Sequence, residues 1–315
     1  MKKPLPLLVC LSLWLASCGT GPAAVTPAAP EGVTPTLPSA TQVVILPTPT
    51  PVAAPPTPTR LPTHTPAPSP TPLAAGAATS EPEPTPIPAP SVTDAMVDIP
   101  AGPFSMGADT GNPDERPAHE VDVPAFQMDK FEVTNADFAA FVEATSYQTD
   151  AEKRGASRVW RDEYGDGKDN HPVVRASWND ALAYCTWLGK RLPTEAEWEK
   201  AARGPEGFTY SWGNDYDATK ANGKDSGLRG TTVVGSYSPN GYGLLDIAGN
   251  VWEWTSDWYQ AYPANPVTDQ FYGEKFRVVR GGGWFEEAPQ LVTYNRNAAD
   301  PEKTANDDLG FRCAK

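Results

Sequence analysis

Between Gly19 and Thr93 the chain is built of Pro, Thr, Ala and Ser and contains no Phe, Trp or Tyr, as in PTPTPVAAPPTPTRLPTHTPAPSPTP. A segment of that composition buries too little apolar surface to offset the entropy of ordering it, so it takes no part in a core. All but one of the ten tryptophans lie beyond it. Folding is therefore confined to residues 94–315, a length that suits one domain around one sizeable core.

Ahead of that tract, MKKPLPLLVCLSLWLASCGTG places Lys2 and Lys3 before an apolar run ending in Leu15, Ala16, Ser17 and Cys18. The run is too short to span a bilayer and has the layout of a secretory signal. Small residues just before Cys18 resemble a bacterial lipobox, which implies that residues 1–18 are a lipoprotein signal and that the mature chain starts at an acylated Cys18. Each buried methylene of such an anchor adds about 0.8 kcal/mol. Residues 19–93 then read as a disordered stalk. Polyproline II advances about 3.1 Å per residue, so the stalk reaches at most roughly 200 Å. These features point to the bacterial cell envelope, with the domain lipid-anchored and extracytoplasmic.

The formal charge of −14 belongs wholly to the domain, because Lys2, Lys3 and Arg60 balance Glu31, Glu81 and Glu83. An acidic domain repels phosphate backbones, so no nucleic-acid partner is expected. With Cys10 in the leader and Cys18 at the lipid site, only Cys185 and Cys313 remain. Export favours a disulfide between them over two buried thiols.

The domain opens with alternating runs, AMVDIPAGPFSMG and HEVDVPAFQMDKFEVT, which read as strands joined by tight turns. Three helix starts follow, each marked by a hydroxyl residue answered three positions later by an acid: Thr134 with Asp137, Ser177 with Asp180, Thr194 with Glu197. The first helix sets Phe138, Phe141 and Val142 on one face. In the second, the stripe Trp178, Ala181, Leu182, Cys185, Leu188 puts Cys185 inside, and Gly189 stops it; Gly204 stops the third. Beyond Gly204 helical periodicity vanishes, leaving only short strand-like pieces: TVVGSY, RVVRGG and GFRCA. Tryptophans, a disulfide and bound calcium, which takes oxygen ligands from irregular loops, would hold such a stretch.

Several blocks of the domain, namely HEVDVPAFQMDKFEVTNADFAAFV, HPVVRASWNDALAYCTWLGKRLPTEAEWEKAARG, VVGSYSPNGYGLLDIAGNVWEWTSDWY, RVVRGGGW and LGFRCA, resemble in order the formylglycine-generating enzyme (sulfatase-modifying factor) family. The resemblance covers nearly all of Met96 to Ala314. It implies a single α+β domain of low regular secondary structure, related to C-type lectins, and a Cys185–Cys313 bridge. It also implies two structural calcium sites. One comprises Asn222, the Gly223 carbonyl, Asp225 or Ser226, and the Leu228 carbonyl. The other comprises carbonyls of Ala248, Gly249 and Val251 with the Glu253 carboxylate.

Family members that oxidise a peptidyl cysteine to formylglycine hold copper(I) on two cysteines after an Arg-Gly-Gly-Ser block. Laid on RGGGWFEEAPQLVTYNRN, the serine falls at Gly283 and the two cysteines fall at Glu286 and Leu291. A soft, reducible ion needs soft ligands, and neither a carboxylate nor a leucine provides one, so no copper is expected. His119 and His171 lie in framework blocks. Trp284, Glu286, Glu287, Tyr294, Asn295 and Arg296 are then candidates to line a ligand groove, against the alternative that the two glutamates are merely solvated. The expectation is a non-catalytic recognition module for a peptide, protein or glycan at the cell surface or envelope. The alternative is an oxidoreductase, either for sulfatase maturation or for another metal-dependent oxidation.

Overall fold

The computed structural model describes residues 95–165 and 167–315. The signal, Cys18 and the 19–93 stalk lie outside the described residues. Among the described residues, no helix is long and apolar enough to cross a membrane.

The strands expected near the start form two antiparallel pairs. Strand β1 (Met96–Ile99) pairs with β4 (Phe126–Asp129), and β2 (Gly102–Met106) pairs with β3 (His119–Val123). The alternating pattern HEVDV turns every second residue of β3 away from water, as a period of two requires. A third sheet comprises β5 (Trp252–Trp258), β6 (Arg277–Arg280), β7 (Arg296–Ala299) and β8 (Leu309–Gly310) in the order β7-β6-β5-β8, with β8 parallel to β5.

Four α-helices lie between the sheets in sequence: α1 (Asn135–Thr145), α2 (Asp150–Lys153), α3 (Trp178–Trp187) and α4 (Glu195–Arg203). Each expected start is capped. The Thr134, Ser177 and Thr194 hydroxyls accept from the backbone N–H of Asp137, Asp180 and Glu197. The Asp180 and Glu197 carboxylates reach back to the cap N–H groups. Helix α3 stops as expected: the Lys190 N–H donates to the Cys185 carbonyl and the Gly189 N–H to Thr186, with Gly189 at φ 66°. Its buried stripe differs from the expectation. Ala181, Tyr184 and Cys185 are buried, whereas Trp178, Leu182 and Leu188 flank them half-buried.

Phe138, Phe141, Trp160, Tyr184, Trp254 and Phe311 pack around the Cys185–Cys313 disulfide, which ties α3 to the end of the chain across 128 residues of sequence. A second cluster of Ile99, Met128, Trp198, Leu244 and Ile247 joins α4 to the first strand pair.

TVVGSY is not a strand. Its backbone groups are taken by side chains instead: the Thr232 N–H donates to Asn250 Oδ1, and those of Gly235 and Tyr237 donate to Asp246. Asn240 works the same way, its amide oxygen accepting from the N–H groups of Tyr242, Gly243 and Leu244. This satisfies the backbone groups of the stretch without a ladder.

Three buried arginines fasten the same region. Arg312, fully buried, donates to both Glu253 oxygens at 2.7–2.9 Å and to the carbonyls of Asp129, Lys130 and Leu245. Arg280 pairs with Glu199, and Arg296 forks onto Glu195 at 2.7 and 2.9 Å. Helix α4, whose sequence EAEWEKAAR looks made for solvent, is buried along nearly its whole length because its Glu195 and Glu199 neutralise Arg296 and Arg280.

Candidate functional site

The loop after β6 runs from Gly281 to Leu291. Gly281 and Gly282 adopt φ of 98° and 75°, conformations that favour glycine. A β-carbon on Gly282 would sit 2.7 Å from the Gln290 carbonyl oxygen, so the loop closes on itself there. The Trp284 N–H donates to the Asn250 carbonyl at 3.0 Å and its indole N–H to the Asp307 carbonyl at 3.2 Å. A single 3₁₀ turn, Ala288–Gln290, then returns the chain inward and delivers Leu291 to the core, 1% exposed.

Beside this loop lies a cavity of about 160 Å³ whose walls include Trp252, Phe285, Glu286, Asn297, Thr304 and Asp308. Glu286 is half-buried, with the Trp252 indole N–H donating to its Oε1 at 3.3 Å. Burial, and secondarily the charge of Glu287, raises its carboxyl above the ordinary range against that hydrogen bond. Asp308 is buried more deeply, and its carboxyl is pushed up to about 6 by burial first and then by the charges on Asp307 and Glu286. A wider depression of about 810 Å³ lies against α1 and α2; of its charged lining residues, Glu152 and Arg161 pair with each other and Glu143 is exposed.

The six groove candidates do not all gather here. Trp284 and Glu286 belong to the loop's surface, and Glu287 is exposed and paired with Lys224. Tyr294 is half-buried elsewhere, with the Arg203 guanidinium 5.4 Å over its ring. Asn295 and Arg296 are each 4% exposed. The Asn295 side chain donates to the Gln290 carbonyl, and Arg296 is sandwiched by Tyr259 and Tyr262 while bound to Glu195. The reach of Glu195 across 101 residues of sequence is what draws Arg296 inward. Asp308, Asn297 and Thr304, which reading the sequence missed, take their place around the cavity.

Residues 82–315 match the family described as the sulfatase-modifying factor enzyme 1-like domain. The chain belongs to the sulfatase-modifying factor family. It is 39% identical over 277 residues to the formylglycine-generating enzyme of Mus musculus, covering 70% of this chain and 74% of that protein. It is 40% identical over 275 residues to the inactive C-alpha-formylglycine-generating enzyme 2 of the same species, covering 70% and 85%. Among solved structures, PvdO from Pseudomonas aeruginosa superimposes with a TM-score of 0.56 at 30% identity, covering 70% of this chain and 93% of that one.

Glu286 and Leu291, the residues that the sequence reading sets against the copper thiolates, offer copper(I) no sulfur. Leu291 is packed so tightly that its Cδ1 lies 2.6 Å from where a β-carbon on Gly223 would be. Glu286 offers a hard oxygen ligand, and the two described cysteines are joined to each other.

The expected calcium residues divide. Asn222 and Ser226 meet, Ser226 Oγ donating to Asn222 Oδ1 at 2.9 Å, but Asp225 turns to the Tyr216 hydroxyl and Leu228 is exposed. Gly223 instead packs under the Glu286 carbonyl. At the second place, Ala248, Gly249, Val251 and Glu253 are buried together, but the Glu253 carboxylate is already held by Arg312 and by the Trp198 indole N–H at 2.8 Å. Two acids there were not foreseen. Glu132 is fully buried, bonded through Oε2 to Asn250 at 2.6 Å, and its Oε1 has no partner. Burial, then the charges of Asp246 and Glu253, push its carboxyl well above the ordinary range. No set of three His, Cys, Asp or Glu side chains converges on a metal position among the described residues, so a hard cation beside Glu132 would draw further ligands from carbonyls.

Proposed function

We propose that this protein is an extracytoplasmic, membrane-anchored recognition module of the sulfatase-modifying factor family that does not form formylglycine. The observation that carries the reading is Leu291, a buried hydrocarbon side chain at the position of the second copper thiolate. Replacing one soft ligand by leucine and the other by a carboxylate removes the donor set that copper(I) requires. The 40% identity to a relative named as inactive supports the same reading. So does the 38% identity to the serine/threonine-protein kinase Pkn1 of Chlamydia trachomatis, in which the matching region is 38% of the protein, because the domain there accompanies another activity. The Gly281–Leu291 surface is the part of the domain that meets a peptide, protein or glycan partner, and the lipid on Cys18 holds it at the envelope.

Incubating the full chain with copper, oxygen and a sulfatase-type cysteine peptide tests this directly. No aldehyde product is expected; a peptide mass loss matching formylglycine would overturn the reading.

Structural calcium belongs to the same proposal, held by Glu132 and Glu253 with the carbonyls of Ala248, Gly249 and Val251. The unpartnered Glu132 oxygen motivates it. Chelation with EGTA is expected to lower the melting temperature, and an unchanged melting curve with no calcium in the purified protein would remove calcium from the account.

A further inference from the structure

The cavity beside the Gly281–Leu291 loop is walled by two carboxylates that form no ion pair among the described residues. Asp308 is 4% exposed, and no other residue among those described donates a hydrogen bond to its carboxylate. Arg175, whose charge reaches it, is bonded to Glu163 and Asp307. Glu286 accepts the Trp252 indole N–H on Oε1, leaving Oε2 open.

Space for Asp308 depends on Gly283. A β-carbon at Gly283 would stand 2.9 Å from Asp308 Oδ2 and 3.0 Å from its Cβ, so a side chain there would push the Asp308 carboxylate aside. A serine at Gly283, as the family block has it, would therefore require the Asp308 side chain to shift. Glycine, Glu286 and Asp308 form a matched set, and they convert the floor of the cavity from thiolate chemistry to paired oxygen acceptors. The Trp252 indole forms an aromatic wall, and Phe285, 48% exposed, stands at the mouth.

Two carboxylates and an aromatic face select a cation. The volume of about 160 Å³ equals roughly five water-sized bodies at about 30 Å³ each, enough for four methylenes and one nitrogen. An ammonium brings three donors on a compact head, which suits two acceptors better than a broad guanidinium fork does.

We propose that this cavity binds a primary ammonium group on an unbranched chain, as a lysine side chain presents it, with Glu286 and Asp308 accepting its hydrogen bonds and Trp252 flanking it. The inference rests on the reading of this surface as a recognition site and names the chemistry it recognises.

Isothermal titration of the full chain with Nα-acetyl-lysine methylamide tests it, with the Nε-acetylated form and cadaverine as companions. The lysine probe is expected to bind one to one, and its neutral Nε-acetyl form to bind at least about tenfold more weakly, the worth of a charge-assisted hydrogen bond. Asp308→Asn and Glu286→Gln should each weaken the probe to a similar degree, whereas Glu143→Gln, on the exposed face of α1, should not. Cadaverine matching the lysine probe would assign the site to free amines; cadaverine binding more weakly would assign it to peptide-borne lysine. Equal binding of the charged and neutral probes to the unsubstituted protein, or no binding of either, would overturn the inference without relying on any variant. An inert lysine probe with no aldehyde product sinks this inference alone, whereas aldehyde formation sinks the recognition reading beneath it.

Discussion

The helical segment from Thr134 to Gly204 and the irregular stretch after it are built on opposite principles. In the first, α1, α3 and α4 carry their own instructions within a few residues: a hydroxyl cap, an acid at the third position and, for α3 and α4, a glycine stop. In the second, side chains of Asn240, Asp246 and Asn250 take over the backbone's hydrogen bonds, and buried arginines reach acids far away in sequence. Local signals suffice where the hydrogen bonds are local. Where order comes from long-range charge pairs, stability concentrates in a few residues.

The largest effect expected from this contrast is at the joint between the two regions. Replacing Cys185 and Cys313 by alanine opens a loop of 128 residues, and the chain-entropy relation gives a loss of up to about 5 kcal/mol. Chemical denaturation with and without reductant measures it. A loss equal to that of an ordinary surface change would mean the regions hold together without the bridge.

Next comes Arg312→Met, which leaves Glu253 buried without its charge partner. Removing one member of a buried pair costs about 3–5 kcal/mol. Thr194→Ala, which deletes one local cap, should cost only about 1 kcal/mol. The ratio sharpens the comparison, and comparable losses for the two variants would break it.

A smaller effect is expected at Asp308. Its folded-state carboxyl is raised to about 6 from the ordinary 3.8 by burial and by the neighbouring Asp307 and Glu286, with Arg175 opposing. A group raised on folding stabilises the fold when protonated, so its contribution is full below the unfolded value and is lost as pH climbs through about 6. Asp308→Asn should therefore flatten the pH dependence of the denaturation midpoint between about pH 4 and about pH 7. An unchanged slope would show that Asp308 is solvated rather than enclosed.

The same contrast governs what was legible in the sequence. Thr134, Ser177 and Thr194 announced their helices because cap and answering acid lie three residues apart. The pairing of Cys185 with Cys313 is accessible from a count, because the domain holds just these two cysteines. The expectation that Glu286 and Leu291 stand where relatives carry the copper thiolates rests on the order of the family blocks alone. Arg296 was misplaced because its partner, Glu195, sits in a helix whose composition reads as solvent-exposed. Glu132 and Asp246 were missed for a like reason: Glu132 sits in an alternating run that reads as strand, and only folding brings it to Asn250, 118 residues away. Gly283 and Asp308 are 25 positions apart in sequence, and nothing local ties one to the other.

Copper(I) titration against a competing chelator, under reducing conditions that spare the buried bridge, addresses the central claim most directly. The unsubstituted protein should hold no copper(I) against the chelator, and Glu286→Cys combined with Leu291→Cys should gain a one-to-one site. Stoichiometric, chelator-resistant copper(I) on the unsubstituted protein would contradict the account.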